Sequence, residues 1–272
     1  MIDKSFHFSL ESDSLRLEAR RVSWDSELLG YPVAEIVVFE LNGVECHSEF
    51  QRFASWVEVG DYGMISCRLP HERLSESEIL ERNGFRFIEM VLHPTIDSLQ
   101  DLNFEDQGIL VSQVEDVDIR SIGEIAEKAF RFERFHIDPY LSREIGNTRY
   151  GRWIINCQND NKQQMLKAML GDKIIGFFLV EYKMNLVYWH LTAMSPEFQG
   201  RGLGERVWSA MLAKHKADGY LQILTTISAR NTPVLNLYSK LNFRFRPPEM
   251  TFHWNKLSNR ASNVLSNTMR GS

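Results

Sequence analysis

The sequence contains few cysteines, and none of them is spaced to bind a metal or to form a redox pair. Its three cysteines are Cys46, Cys67 and Cys157, with no C-x-x-C pattern among them. We therefore expect buried thiols in a reducing compartment. No cluster of His, Cys and Asp at ligand spacing occurs either, so a metal-dependent activity is not expected.

Long apolar runs and an excess of basic residues are also absent. No stretch has the length of a membrane span, and the N-terminus lacks a charged region followed by an apolar one. We therefore expect a cytoplasmic protein with no membrane partner. The 31 Lys and Arg residues against 36 Asp and Glu give a net charge of −5, which argues against a general nucleic-acid binder. The 272 residues suffice for one large domain or two small ones.

A glycine-rich run, Ser195–Gly204, is the most informative feature that is present. It follows an apolar stretch, 185–194, that predicts a strand, and it leads into 205–214, where apolar residues recur at helical spacing. Backbone N–H groups in such a turn point into one concavity, and the helix N-terminus adds partial positive charge. The pattern predicts a site for a phosphate or a pyrophosphate.

The spacing of the glycines decides which phosphate ligand the run fits. Glycines at 200, 202 and 204 do not match G-x-G-x-x-G, and Arg201 stands where a Walker A loop needs Lys followed by Ser or Thr. The run does match Gln/Arg-x-x-Gly-x-Gly/Ala, and with Met194-Ser195-Pro196 it resembles the acetyl-CoA pyrophosphate loop of the GNAT N-acetyltransferases. The resemblance implies an acetyl-CoA co-substrate held by Thr192, Ala193, Met194, Gln199, Gly200, Arg201, Gly202, Leu203, Gly204, Glu205, Asn231 and Tyr238.

A second motif downstream is similar to the closing part of the GNAT fold. A β-rich run, 221–227, precedes Thr232-Pro233, which predicts a helix with Thr232 as its N-cap. The helix is expected to end at Asn242, where the family usually has glycine. The resemblance implies that Asn231 lies against the pantetheine arm and that Tyr238 lies at the thioester sulfur. Tyr238 is thus the candidate general acid, and a backbone N–H near Ala193 or Met194 is the candidate oxyanion donor.

The first half repeats part of this pattern without the phosphate loop. Residues 80–87 and 238–245 each predict a helix end followed by a strand that begins Phe-Arg-Phe. We predict an α/β GNAT fold with a mixed, mostly antiparallel sheet. The expected domains are a degenerate partial GNAT repeat over 1–95, a connector over 96–107, a catalytic domain over 108–256 and a disordered tail over 257–272.

A narrower resemblance indicates which molecule accepts the acetyl group. Trp24–Gly30, together with Ala129–Phe135 and the proline-containing loop after it, is similar to the TDP-fucosamine acetyltransferases. That similarity implies a small-molecule amine substrate, a nucleotide-linked amino-dideoxy sugar. Arg131, Arg134 and His136 are candidates for holding its diphosphate, although an amphipathic helix end with a surface loop explains them equally well.

Two residues compete for the role of general base. Glu89 stands where the sugar acetyltransferases carry a glutamate that acts through water. His190 is expected on the same strand face as Thr192 and Met194, and its ordinary pKa suits proton removal near neutrality. The alternatives are an exposed strand carboxylate for Glu89 and a core histidine for His190.

Other functions remain open on the sequence alone. The acceptor is either the sugar or another amine such as a polyamine, an antibiotic or a protein N-terminus. A binding protein that holds acyl-CoA without turnover is a third possibility, which the intact loop, Asn231 and Tyr238 disfavour. A homodimer is also left open.

Overall fold

The computed structural model describes residues 7–43, 46–105, 107–157 and 162–257. The first half of the chain contains β1 (His7–Glu11), β2 (Leu15–Arg21), α1 (Ser23–Leu29), β3 (Val33–Leu41), α2 (His47–Val59), β4 (Met64–Pro70), α3 (Leu74–Arg82) and β5 (Arg86–Ile96). The second half contains β6 (Leu110–Gln113), α4 (Ile119–Ala129), α5 (Arg134–Ile137), α6 (Arg143–Asn156), β7 (Gln163–Leu170), β8 (Lys173–Lys183), β9 (Leu186–Met194), α7 (Leu203–Ala217), β10 (Gln222–Thr225), β11 (Ile227–Ser228), α8 (Thr232–Lys240) and β12 (Arg244–Asn255). The chain is therefore α/β, as predicted. The tail 258–272 lies outside the described residues.

The chain divides into two compact units that are not contiguous in sequence. Unit 1 comprises 1–90, 138–141 and 249–272, and unit 2 comprises 91–137 and 142–248. The domain boundaries expected from the sequence, at 95 and 108, do not coincide with this division. The expected connector is part of unit 2, because Leu99 is buried in the unit 2 core and its N–H donates to the carbonyl of Leu221 at 2.7 Å.

Unit 1 has a sheet of order β1-β2-β3-β4, and the C-terminal part of β12 pairs with β4. β3 and β4 are parallel, from Val33 opposite Met64 to Ile36 opposite Cys67, and α2 connects them. Phe50, Phe53 and Val57 lie on one face of α2 and are buried. An apolar core lies between this helix and the sheet.

A buried polar cluster explains why 138–141 belongs to unit 1. The carboxylate of Asp138 lies 2.7 Å from Nδ1 of His253 and accepts a hydrogen bond from Nδ2 of Asn255 at 3.1 Å. It also accepts from the backbone N–H of Tyr140 at 2.9 Å. Since both side-chain partners of Asp138 are on β12, this strand ties 138–141 to unit 1.

Unit 2 has a sheet of order β10-β9-β8-β7-β6, extended at the β10 edge by the C-terminal part of β5. β9 and β10 are parallel and are connected by α7. One apolar core lies on the α7 side of the sheet and contains Val187, Trp189 and Ile223. A second core lies beneath α4 and α6 and contains Leu179, Leu191 and Ala193.

The three cysteines are buried and free, as predicted. Burial raises the pKa of the Cys67 thiol, so this thiol stays protonated and unreactive. Within the described ranges, no helix is both long and apolar enough to span a membrane.

Candidate active site

The glycine-rich loop ends at an uncapped helix N-terminus. Gly200 and Gly202 have φ angles of 73° and 74°, a conformation that costs other residues about 1–2 kcal/mol. Gly202 is the N-cap of α7, and no side chain caps this helix. Because helix geometry leaves the first backbone N–H groups without intrahelical acceptors, they are available to an anion.

The structure refines the reason for glycine in this loop. A Cβ added at Gly200 or Gly202 would meet no atom within 4 Å, so the left-handed backbone rather than crowding favours glycine at both positions. A Cβ at Gly204 would make ordinary contacts, at 3.6 Å from Cδ2 of Leu237 and 3.9 Å from Sδ of Met194. A side chain at Gly204 is therefore sterically possible in the protein itself, and only a bound ligand could exclude it.

Side chains of the loop close it onto the strand and line it. Nε2 of Gln199 donates to the carbonyl of Met194 at 3.0 Å, which makes Gln199 a turn-closing residue. Arg201 is exposed, and its guanidinium lies 5.5 Å from the ring centre of Phe198. It is thus a cation beside the uncapped amides. Glu205 is exposed in the first turn of α7, and Leu203 is half-buried.

The strand before the loop separates from one of its neighbours. β9 pairs with β8 as far as Met194, opposite Gly176, but with β10 only as far as Trp189, opposite Thr225. The splayed strand implied by the family resemblance is therefore present, and we call the opening between β9 and β10 the fork. No other strand of the described ranges pairs with β9 there.

The direction of one hydrogen bond shows which peptide groups face the fork. The N–H of Ser195 donates to the carbonyl of Ile175, on the β8 side, at 2.9 Å. Neighbouring residues of a strand direct their peptide groups to opposite edges, so Met194 and Thr192 direct theirs into the fork. Of the two candidate oxyanion donors, this geometry favours Met194 over Ala193.

Tyr238 lies at the apex of the fork. Its side chain extends from α8, is 1% exposed and packs on Phe243 at 4.6 Å between ring centres. Burial raises the pKa of Tyr238, and the polar side chains of Thr192, Trp208 and Thr225, which lie beside its hydroxyl, act to lower it. Since Thr192 is on β9 and Thr225 ends β10, the hydroxyl lies where the two strands part, and it stays protonated near neutrality.

Asn231, and not Thr232, is the N-cap of α8. Its side chain accepts from the N–H of Val234 at 3.4 Å, so the prediction for Thr232 was wrong by one residue. Pro233 has no N–H that would need a cap. It lies in the first turn of the helix whether Asn231 or Thr232 is the N-cap. The sequence therefore did not separate the two positions.

His190 lies in a β-bulge. Leu179 pairs with Leu191 and the next residue, Val180, pairs with Trp189, so His190 is the extra residue of a bulge in the register of β8 and β9. The bulge shifts the alternation of faces, because Trp189 belongs to the α7-side core and Leu191 to the core under α4 and α6. The expectation that His190 shares a face with Thr192 and Met194 was wrong.

The imidazole of His190 is paired with a carboxylate. Its Nε2 lies 3.1 Å from Oε2 of Glu181, and the other oxygen of that carboxylate, Oε1, accepts from Nζ of Lys183 at 3.1 Å. Burial acts to raise the pKa of Glu181, but the hydrogen bonds from Lys183 and His190 lower it overall. An ionised carboxylate thus orients the imidazole of His190.

Glu89 is on β5, in the part of that strand that belongs to unit 1, and is 4% exposed. It is therefore not the exposed strand carboxylate that the sequence left as an alternative. His190 and Tyr238 belong to unit 2.

The three expected acceptor-binding residues have different surroundings. Arg131 is exposed, and Arg134 is half-buried with its guanidinium 5.0 Å from the ring centre of Phe135. His136 is internal: its side chain is 4% exposed, and its Nε2 lies 3.1 Å from Oδ1 of Asn147. A Cβ at Gly146 would fall 2.5 Å from that ring, so the helix surface is shaped to receive it. The structure thus gives His136 a packing position.

Two members of the site, Thr225 and Trp208, were not singled out from the sequence. Thr225 ends the apolar run of β10, and its Oγ1 donates to the carbonyl of Trp189 at 3.0 Å. The only signal available was a hydroxyl residue in an otherwise apolar strand. Trp208 was hidden in the apolar face of α7. Within the described residues, no group of three or more His, Cys, Asp and Glu side chains is placed to hold a metal.

Comparison with known proteins agrees with this geometry. Residues 120–243, which include the fork, the loop and Tyr238, match the model of the Acetyltransferase (GNAT) family. The chain thus carries a GNAT acetyltransferase domain, which makes it an enzyme of the N-acetyltransferase class.

The relatives are distant in sequence. The spore coat polysaccharide biosynthesis protein SpsD of Bacillus subtilis (strain 168) is 18% identical over 236 residues, which cover 85% of this chain and 80% of that protein. A GCN5-related N-acetyltransferase from Sphaerobacter thermophilus superposes with a TM-score of 0.63 at 13% identity, covering 90% of this chain and 82% of that one. A tandem GNAT protein from the clavulanic acid biosynthesis pathway gives 0.58 at 12% identity, covering 89% and 79%. The two structures share the fold.

Proposed function

We propose that this enzyme transfers the acetyl group of acetyl-CoA to the primary amine of a nucleotide-linked amino-dideoxy sugar. The observation that carries the acetyl-CoA assignment is the fork with Tyr238 at its apex. The splayed edge of β9 begins beside the buried phenol of Tyr238, which extends from α8, and it continues through the glycine-rich loop to the uncapped N-terminus of α7. Their order fits an extended thioester with a diphosphate at its far end.

The residues present suit each part of this co-substrate. The backbone N–H groups of the glycine-rich loop and the first turn of α7, with Arg201, would hold the diphosphate. The peptide group of Thr192, on the open edge of β9, would pair with a pantetheine amide as an added strand does, whereas the carbonyl of Met194 already accepts from Gln199. Asn231 is placed at the start of α8, where the family resemblance puts the pantetheine arm, although its side chain also caps the helix.

Acetyl transfer forms one bond at the acetyl carbon and breaks another. The neutral amine nitrogen bonds to the acetyl carbon and becomes positively charged, it then loses one proton to a base, and the carbon–sulfur bond breaks as the sulfur receives a proton. The N–H of Met194 donates to the carbonyl oxygen as charge develops on it. Tyr238 supplies the proton to sulfur, because a phenol held protonated by burial is a suitable donor to a departing thiolate.

The base stays a choice between two residues. His190 precedes the fork directly and is oriented by Glu181, and this supports it as the proton acceptor. Glu89 is kept as the competing base.

The sugar acceptor is supported by the relative and by the charge of one segment. The name of SpsD connects that relative with polysaccharide biosynthesis. Arg131 is exposed and Arg134 is half-buried, and both are cations suited to an acceptor diphosphate. Neither feature identifies the sugar.

A panel of amines tests the proposal. Thiol release from acetyl-CoA is followed with TDP-linked amino sugars, free amino sugars, spermidine, an aminoglycoside and an alanine peptide. We expect amine-dependent release with the TDP-linked sugars. Release only with another amine would contradict the sugar assignment. Saturable binding of acetyl-CoA with no release for any acceptor would instead favour a binding protein without turnover.

A further inference from the structure

One face of β9 and β10 in unit 2 carries half-buried side chains beside the fork. Val187, Trp189 and Ile223 point into the α7-side core. Their strand neighbours Tyr188, His190 and Leu224 therefore face the other way, and all three are half-buried. Tyr188 and Leu224 are opposite each other in register. They form the floor of a surface that we call the β9 platform.

Trp153 of α6 forms a wall of this platform. Its ring centre lies 6.2 Å from that of His190, which in turn lies 4.7 Å from that of Tyr188. Nε1 of Trp153 donates to Oε1 of Gln163 at 3.3 Å. Behind it, Tyr150 is nearly parallel at 6.4 Å, with an angle of 16° between the planes. The indole is thus fixed in position before any ligand arrives.

The polar groups of the platform lie together. Glu181 is within hydrogen-bonding distance of both His190 and Lys183. A surface of two aromatic rings and a leucine with one polar corner has the composition of a small-molecule site. A pyranose ring fits such a surface, because one face of the ring presents C–H bonds and its edge presents hydroxyl groups.

We propose that the β9 platform binds the pyranose ring of the acceptor, with Trp153 and Tyr188 against the ring and Glu181 as a hydroxyl acceptor. The inference rests on the proposed function. His190 is the residue after Trp189, where the fork begins, so a ring bound here holds its amine next to the splayed edge. An open-chain amine has no comparable face, and the platform therefore selects ring-bearing acceptors.

The experiment measures binding and not turnover. A TDP-linked amino-dideoxy sugar and spermidine are titrated separately into the protein saturated with CoA, which lacks the acetyl group, and binding is followed by saturation-transfer NMR. Trp153→Leu should weaken sugar binding about tenfold, or ~1.4 kcal/mol. Trp153→Phe should restore most of that loss, and CoA affinity should not change. Tyr220→Leu, at a half-buried aromatic residue stacked on Tyr182, is the matched control and should bind the sugar normally.

The outcomes separate this inference from the proposed function. Equal sugar affinity in Trp153→Leu and wild type, or no sugar binding to wild type, overturns the platform. An equal loss of spermidine binding in Trp153→Leu overturns its selectivity for rings. Sugar binding that depends on Trp153 without any acetylation of the bound sugar would leave the platform standing and end the proposed function instead.

Discussion

Unit 1 and unit 2 build the same strand–helix–strand arrangement with different contents. In each, two parallel strands share four paired positions and then part, at Ile36 and Cys67 in unit 1 and at Trp189 and Thr225 in unit 2. Each also has a bulge one residue later, where Val37 in unit 1 occupies the place of His190. Because a register shift and a strand separation coincide twice, we interpret unit 1 as a repeat of the unit 2 scaffold.

The side chains at the fork differ between the two units. The paired strands and the nine-residue helices α3 and α8 allow the two units to be aligned residue by residue. In this alignment Thr192 corresponds to Phe39 and Thr225 to Cys67, while Trp208 corresponds to Phe50 and Tyr238 to Leu80. All four of the unit 1 residues are buried in one apolar core. Unit 1 has therefore kept the backbone opening and filled it with well-packed side chains, and Leu80, which has no hydroxyl, stands where unit 2 has Tyr238.

The connections between strand and helix differ as well. In unit 2, residues 195–202 join β9 to α7, and in unit 1 the shorter stretch 42–46 joins β3 to α2. The longer connection holds the two left-handed glycines. The units thus differ in chemistry at two places, the glycine-rich loop and the apex of the fork. Substitutions at each place can test what it contributes.

The largest effect is expected from removing the phenol of unit 2. Tyr238→Phe keeps the ring and should lower turnover by roughly 10²–10⁴-fold if the hydroxyl is the general acid. Acetyl-CoA binding should change little. Steady-state kinetics with saturating acetyl-CoA measures the effect. Tyr182→Phe is the control, since burial raises the pKa of Tyr182 to about 12 and this residue has no assigned role. Equal turnover of Tyr238→Phe and wild type would remove the acid role.

The equivalent position in unit 1 should respond in stability instead. Leu80 is fully buried, and Leu80→Ala should lower the free energy of unfolding by about 2–5 kcal/mol through lost burial and a cavity. Turnover per folded molecule should not change, and calorimetry should give one acetyl-CoA per chain for wild type. Urea unfolding measures the first effect. A stoichiometry of two would show that the apolar filling of unit 1 admits the co-substrate.

The sequence predicts local features of the site, and it misses features that depend on how distant strands pair. The loop and Tyr238 were predicted because glycine spacing and helix periodicity are local. The bulge at His190 was missed, because it depends on how β8 and β9 pair and not on the residues of β9 alone. The division into units was missed for a similar reason. The strands that complete β4 and β10, Glu249–Asn255 and Thr95–Ile96, are far from them in sequence.

The folding stability of unit 2 is expected to decrease in acid because of one histidine, at a position where unit 1 has valine. His215 corresponds to Val57, counting back from β10 and β4, and its Nε2 accepts from Nε1 of Trp189 at 3.1 Å. Burial lowers its pKa to about 4, against about 6.5 in the unfolded chain. The unfolded state therefore binds the proton first, so stability is lost as the pH falls from about 6.5 toward 4.

The size of this loss follows from the shift. The difference between the unfolded pKa of about 6.5 and the folded pKa of about 4 corresponds to about 3 kcal/mol of unfolding free energy, and this loss should be nearly complete at pH 4. Urea unfolding at pH 7, 6, 5 and 4 measures it. In His215→Gln, which is less stable at neutral pH, the slope of stability against pH over this range should be shallower. An unchanged slope would assign the acid sensitivity to other groups.

The smallest effects are expected in the loop, where two neighbouring glycines give opposite results. Gly202→Ala places a side chain in the left-handed region and should cost about 1–2 kcal/mol of stability, with a higher KM for acetyl-CoA because the first turn of α7 shifts. Gly204→Ala has no such backbone strain and only ordinary contacts, so its unfolding free energy should stay near that of wild type. Its KM for acetyl-CoA should nevertheless rise, since the new methyl group would lie among the amides that hold the diphosphate.

The two glycine variants are compared by urea unfolding and by titration with acetyl-CoA and with desulfo-CoA. If Gly204→Ala bound both ligands as wild type does, the diphosphate would not lie on the first turn of α7, and the distinction drawn between the connections of the two units would lose its functional meaning.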